Sequence, residues 1–174
     1  MPFGWEGNLV RLVPLDEGRH FDNAVLWLND PEVTRFLLVG DMPLTKVMER
    51  EYFQRAQTET NIPFAIETLE GDHIGFCGIH NIQWRHGHAS TGTLIGRREL
   101  WGKGFGSDAV AVRTQYALDV LGLRILTSDV MAENVASIKM LERSGYVNRG
   151  VIPARYFKRG KYHDAVMMVR NRDA

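Results

Sequence analysis

The sequence predicts a mixed α/β fold, a mostly antiparallel central sheet flanked by helices. Three observations predict it. Two strand-like runs in the middle of the chain, His73–Ile82 and Ala89–Ile95, are joined by the turn-like Gln83–His88 and read as a hairpin. Helical periodicity stands before that hairpin and again after it. Between hairpin and second helical region lies a glycine-rich segment, Trp101-Gly102-Lys103-Gly104-Phe105-Gly106-Ser107.

Taken in order, Leu9–Leu15 reads as a first strand. Asp16 is suited to cap a helix running to about Leu28, with Phe21, Ala24, Val25 and Leu28 on one face. A second helix is expected over Leu44–Thr58, with Met48, Tyr52 and Phe53 on its apolar side and Lys46, Glu49, Arg50 and Glu51 on a wet one. Asn61–Glu67 is a strand, and Leu69–Asp72 turns into the hairpin. The long helix after the glycine-rich segment should cover Asp108 to Gly122, the glycine being its stop signal. Arg124–Val130 is a strand, Asn134–Ser144 a short helix ended by Gly145, and Tyr146–Ile152 and His163–Arg170 the last two strands. No repeat, low-complexity segment or linker divides the chain, so one domain spanning residues 1–174 is expected.

Composition narrows the functional classes. At 44% hydrophobic, the chain can build a core. Lys plus Arg and Asp plus Glu balance at 21 each, which argues against nucleic acid as the main partner. A local basic group, Arg155, Lys158, Arg159 and Lys161, reads as a solvated hairpin tip. Cys77 is the lone cysteine, so no internal disulfide forms; it reads as core packing rather than a nucleophile. The opening Met1–Glu6 lacks a basic and then apolar leader, and no apolar run is long enough to span a membrane. A cytoplasmic address is the simplest expectation, no metal is called for, and the oligomeric state stays open, a homodimer included.

Strand, glycine-rich turn and helix together make a device for holding phosphates: glycines admit close backbone approach, and the free N–H groups of the first helical turn face the anion. The string lacks the Gly-x-x-x-x-Gly-Lys-Ser/Thr of a Walker A loop. It also lacks the third glycine of a dinucleotide fingerprint, Ser107 standing there, and the strand before it belongs to an antiparallel hairpin. The pyrophosphate of coenzyme A fits better.

Gly104-Phe105-Gly106 resembles the loop core of the GNAT superfamily of N-acetyltransferases, and Asn134 to Leu141 followed by Gly145-Tyr146 resembles that superfamily's second signature. Leu9–Leu15 followed by Trp27–Val33 is similar to the opening of its RimJ/RimL-like branch, which acetylates protein N-termini, polyamines and other small amines. The resemblance implies two central strands, Ala89–Gly96 and Arg124–Val130, splayed around acetyl-CoA. It implies pantetheine pairing with backbone groups of Leu94, Ile95 and Gly96, with the phosphates on Gly102, Lys103, Gly104, Phe105, Gly106 and Ser107. It implies Asn134 beside pantetheine and Ser137 at the cofactor sulfur. Tyrosine is common four residues after that serine in other members; here it is Leu141.

Transfer from a thioester to an amine needs a neutral amine, a proton acceptor, an N–H donor for the carbonyl oxygen and a stabilised leaving thiolate. Ser137, one turn after the natural N-cap Asn134, is the candidate for the last. Members of the superfamily often carry a glutamate on the central strand, but Ser90–Thr93 offers no carboxylate. Glu67, His80 or a relayed water are the alternatives for the base, with Tyr156 and His163 as pocket residues. That absence points to weakly basic acceptors, peptide α-amines or amino sugars. It also motivates a second reading, a CoA-binding sensor or scaffold without catalysis.

Overall fold

The computed structural model describes residues 5–173. Of the opening segment read for a leader, residues 1–4 lie outside that range. One sheet of eight strands runs in the order β1-β2-β3-β4-β5-β6-β8-β7. The strands are β1 (Trp5–Glu6), β2 (Val10–Pro14), β3 (Ile62–Thr68), β4 (His73–Gln83), β5 (His88–Ile95), β6 (Ile125–Met131), β7 (Val147–Lys158) and β8 (Lys161–Asn171). The helices are α1 (Glu17–Leu28), α2 (Lys46–Arg55), α3 (Phe105–Gln115) and α4 (Val135–Arg143). Every pairing is antiparallel except β5 with β6.

That parallel pair is where the fold opens. Its ladder holds three residue pairs, His88↔Ile125, Ala89↔Leu126 and Ser90↔Thr127. At the next step side chains replace it: Thr91 Oγ1 donates to the Thr127 carbonyl and Ser128 Oγ to the Thr91 carbonyl, each at 3.2 Å. Beyond, β5 continues to Ile95 on β4 alone and β6 to Met131 on β8 alone. The two central strands thus splay. Val10, Leu12, Ile66, Cys77, Ile79, Val110, Leu126 and Val130 form the core beneath them.

Several elements differ from the sequence expectation. Helix α3 begins at Phe105, not Asp108, because Gly104 at φ +93 turns the chain straight into it. It closes through a π-helical turn, Tyr116–Val120, before Gly122. Strands β7 and β8 run far past the expected ends, so residues 156–158 and 161–162 still belong to the ladder. The basic tip is not simply solvated. Lys158 is 2% exposed, and its Nζ donates to the Val39 carbonyl at 2.8 Å and to Asp41 Oδ1 at 3.0 Å. Arg159 donates to the Pro31 carbonyl. The hairpin tip therefore clasps the segment between α1 and α2.

Candidate active site

The site has two halves on either side of β5. On the first, α3 starts beside the end of β5. Gly102 and Gly104 both take positive φ, +73 and +93, which L side chains rarely adopt. The first helical bond runs from Asp108 N–H to the Gly104 carbonyl at 3.0 Å, leaving the N–H groups of 105–107 without a helical partner. The Asp108 carboxylate would oppose an anion there, but it is turned aside. It accepts the N–H groups of Asn8, Leu9 and Val10 at 2.8–3.2 Å, pinning β2 to the helix. Arg143, from the end of α4, reaches Ser107 Oγ at 3.5 Å and adds a cation beside that turn. Lys103 lies in the turn itself. Gly106 has a packing reason as well: a Cβ there would stand 2.8 Å from Met140 Sδ, so it lets α4 approach α3.

The splayed edge of β5 differs in detail from the expectation. Gly96 N–H donates to the Ile74 carbonyl at 2.9 Å, so alternation turns the peptide groups of Gly96 and Leu94 toward β4. Those of Thr93 and Ile95 face the gap. The Ile95 carbonyl is taken by Trp101 Nε1 at 2.8 Å, so that half-exposed tryptophan fastens the turn to the strand rather than packing in the core. Gly96 is glycine because the Trp27 ring would lie 1.9 Å from a Cβ. Asn134 caps α4, accepting Ser137 N–H at 3.2 Å. Ser137 is half-buried in the first turn, while Leu141 is core.

On the other half, α1, α2 and the clasped segment roof a cavity of about 620 Å³ over β4 and β5. Its wall is chiefly aliphatic and aromatic, with Leu28, Leu44, Met48, Phe53 and Phe76 among its residues. Gly78 pairs with Gly92 on its floor, and His80 lines it beside them. The His80 ring lies against Gly78, where a Cβ would be 2.5 Å away. Burial first, and then the Arg113 charge, lower its pKa, so it is neutral near pH 7.

Glu49 lines this cavity, 3% exposed, not on the wet side of α2 as the sequence suggested. It stands one turn before Phe53, and that spacing alone places the two on one face. Burial raises its pKa to about 7. The expectation of weakly basic acceptors rested on a missing carboxylate; a helix supplies one.

Other candidates are engaged elsewhere. Glu67 is buried against His20 at 3.0 Å and Arg19 at 2.5 Å, away from the cavity. His163 is held between Glu133 Oε1 at 2.9 Å and the Lys158 carbonyl at 3.1 Å. Tyr156 donates to Asp129 on β6 at 3.4 Å, near Arg155. Cys77 is buried, its thiol pushed up to about 12 by desolvation. Arg113, fully buried under β5, escaped sequence reasoning, although it shares a helix face with Ala109 and Val110. Its Nη1 donates to the Gly92 carbonyl at 2.7 Å and Thr93 Oγ1 at 2.6 Å; its Nε and Nη2 have no partner among the described residues. Among the described residues no cluster of His, Cys, Asp or Glu is arranged for a metal, and no helix is long and apolar enough to cross a membrane.

Comparison with known proteins agrees with this geometry. Residues 10–147 match the acetyltransferase (GNAT) domain family. An uncharacterised N-acetyltransferase, p20, of Bacillus licheniformis is 30% identical over 145 residues, 80% of either chain. Another, YoaA of Bacillus subtilis, is 26% identical over 78% of either chain. Among solved structures, a Vibrio cholerae spermidine N-acetyltransferase in complex with CoA and spermine superposes with a TM-score of 0.85. The identity is 21%, covering 94% of this chain and 96% of that one. A GNAT-family acetyltransferase of Bacillus anthracis gives 0.84 at 14% identity, covering 98% and 99%. A splayed β5–β6 pair, a glycine turn opening α3 and a family match over most of the chain lead to one conclusion: the chain belongs to the GNAT family and is an N-acetyltransferase.

Proposed function

We propose that this enzyme moves the acetyl group of acetyl-CoA to a primary amine by direct attack within a ternary complex, in the manner of the RimJ/RimL-like branch. The observation that carries the reading is the broken β5–β6 ladder, which opens beside three free N–H groups at the start of α3 and adjoins a cavity of about 620 Å³. The fit of acetyl-CoA rests on these features of the chain. The N–H groups of Phe105, Gly106 and Ser107, with Lys103 and Arg143, would hold the pyrophosphate. The free N–H groups of Thr93 and Ile95, with Leu94 and Gly96 fixing that edge to β4, would take the pantetheine as an added strand. Asn134 sets the first turn of α4 and so the position of Ser137.

Bound acetyl-CoA supplies an acetyl thioester; transfer makes the amine N–C bond and breaks the C–S bond. An ammonium acceptor sheds two protons, one ending on the thiol and one in solvent. Neutral His80, which lines the cavity, takes the amine proton through water. Ser137 Oγ–H stabilises the departing sulfur. A free N–H on the splayed edge of β5 faces the charge gathering on the acetyl oxygen. Holding both substrates in register contributes the largest share of rate. The non-catalytic reading loses its motive, since the cavity contains both a carboxyl and a neutral histidine.

The test is thiol release from acetyl-CoA with a panel of amines, the product identified by mass spectrometry. Release that depends on amine, with an N-acetylated product, supports the reading. Release independent of every amine, or no acetylated product, refutes it.

A further inference from the structure

The cavity wall says what kind of amine fits. Its carboxylates are Asp41 and Glu49. Asp41 is tied to Lys158 at 3.0 Å, so its charge is already matched. The Glu49 carboxyl has no hydrogen-bond or ion-pair partner among the described residues, although the residue is all but buried. A carboxyl without a partner in an apolar wall is costly unless something that binds there meets it. The same wall carries Leu28, Met48, Phe53 and Phe76, over a Gly78–Gly92 floor whose Gly78 side is covered by the His80 ring. Phe53 and Phe76 meet edge to face, 6.3 Å between centroids, so an aromatic wall is already in place.

We infer that the acceptor is a primary amine on a single apolar body, aromatic or branched aliphatic, its ammonium met by Glu49 and its body seated among Phe53, Phe76, Leu28 and Met48. This rests on the reading of the cavity as the acceptor site. A polyamine would fit poorly. Its further ammonium groups would be desolvated against an aliphatic wall in which Glu49 is the unpaired acid. An apolar body gains by burial instead, and the cavity is of a size that takes small ligands. Transfer to such an acceptor forms its N–C bond, breaks the thioester C–S bond, and returns one proton to the thiol and one to solvent.

The experiment is calorimetric titration of 2-phenylethylamine and of spermidine into the wild-type protein and Glu49→Gln, each with and without saturating CoA. Thiol release from acetyl-CoA is measured in parallel. The inference expects 2-phenylethylamine to bind at least about tenfold more tightly than spermidine, and Glu49→Gln to lose about tenfold of that affinity while binding CoA unchanged. Spermidine binding as tightly or more tightly, no binding of 2-phenylethylamine, or an indifferent Glu49→Gln overturns it. Failure to bind CoA, or absence of thiol release with any amine, strikes the proposed function instead. The amine titrations without CoA then still decide the chemistry of the cavity.

Discussion

Glu49 is maintained at a cost. Its folded pKa of about 7 lies above the ordinary 4.5, so between those values the folded chain holds a proton that the unfolded chain has released. Stability is greatest with the carboxyl neutral and falls as pH rises from about 4.5 through about 7. His73 acts in the opposite sense. Burial lowers its pKa from 6.5 to about 4, so it adds stability as pH rises over that interval. Comparing wild type with Glu49→Gln cancels the histidine. The variant should be the more stable by roughly 1–3 kcal/mol at pH 8, with the advantage vanishing near pH 4, as read by urea denaturation at both pH values. Equal stability at pH 8 would mean that Glu49 is hydrated. Ser137→Ala should lower kcat about tenfold or more with acetyl-CoA affinity nearly intact, since its contact matters as the thiolate leaves. Wild-type turnover would assign Ser137 to the helix alone. At this scale the sequence was an uneven guide. The Asn134–Ser137 spacing announced its own cap, whereas Glu49 and Arg113 were hidden because charged residues are read as wet unless their helical face is checked.

Among the elements, the start of α3 and the β7–β8 hairpin carry the most consequence. Gly104→Ala should fold with a strained turn, since φ +93 suits glycine. It should raise the KM for acetyl-CoA several-fold while leaving amine binding alone, measured by initial rates and far-ultraviolet circular dichroism. The hairpin is legible as two strands but not as a clasp, because nothing in Arg155–Lys161 states that residues 39–41 fold back onto it. Lys158→Met removes a buried cation yet leaves the Val39 carbonyl and Asp41 without their donor. The segment roofing the cavity should loosen, so the KM for the amine rises at least about fivefold with acetyl-CoA binding unchanged, at about 1–3 kcal/mol of stability. An unchanged amine KM would detach the clasp from function. Helix α2 was foreseen in place, with its face partly inverted; α3 was foreseen too late by one turn because Phe105-Gly106 reads as loop when the left-handed Gly104 is not visible.

Over the whole molecule, the eight strands form a single hydrogen-bonded sheet whose one parallel pair parts after three residue pairs. The mixed, mostly antiparallel sheet was legible because alternation and turn residues mark each strand locally. The parting was not legible from alternation. It depends on the Thr91 and Ser128 hydroxyls donating to the Thr127 and Thr91 carbonyls where backbone bonds should continue, and only the resemblance to a family pointed to it. Of the expected Leu94, Ile95 and Gly96, the register leaves the peptide groups of Ile95 on the free edge, with those of Thr93, and turns those of Leu94 and Gly96 toward β4. Amide hydrogen exchange with and without acetyl-CoA tests this central claim most directly. Added protection confined to the amides of Thr93, Ile95 and residues 105–107, with Leu94 and Gly96 already slow in the free protein, is the expected result. Protection elsewhere, with these amides exchanging as before, would contradict the account.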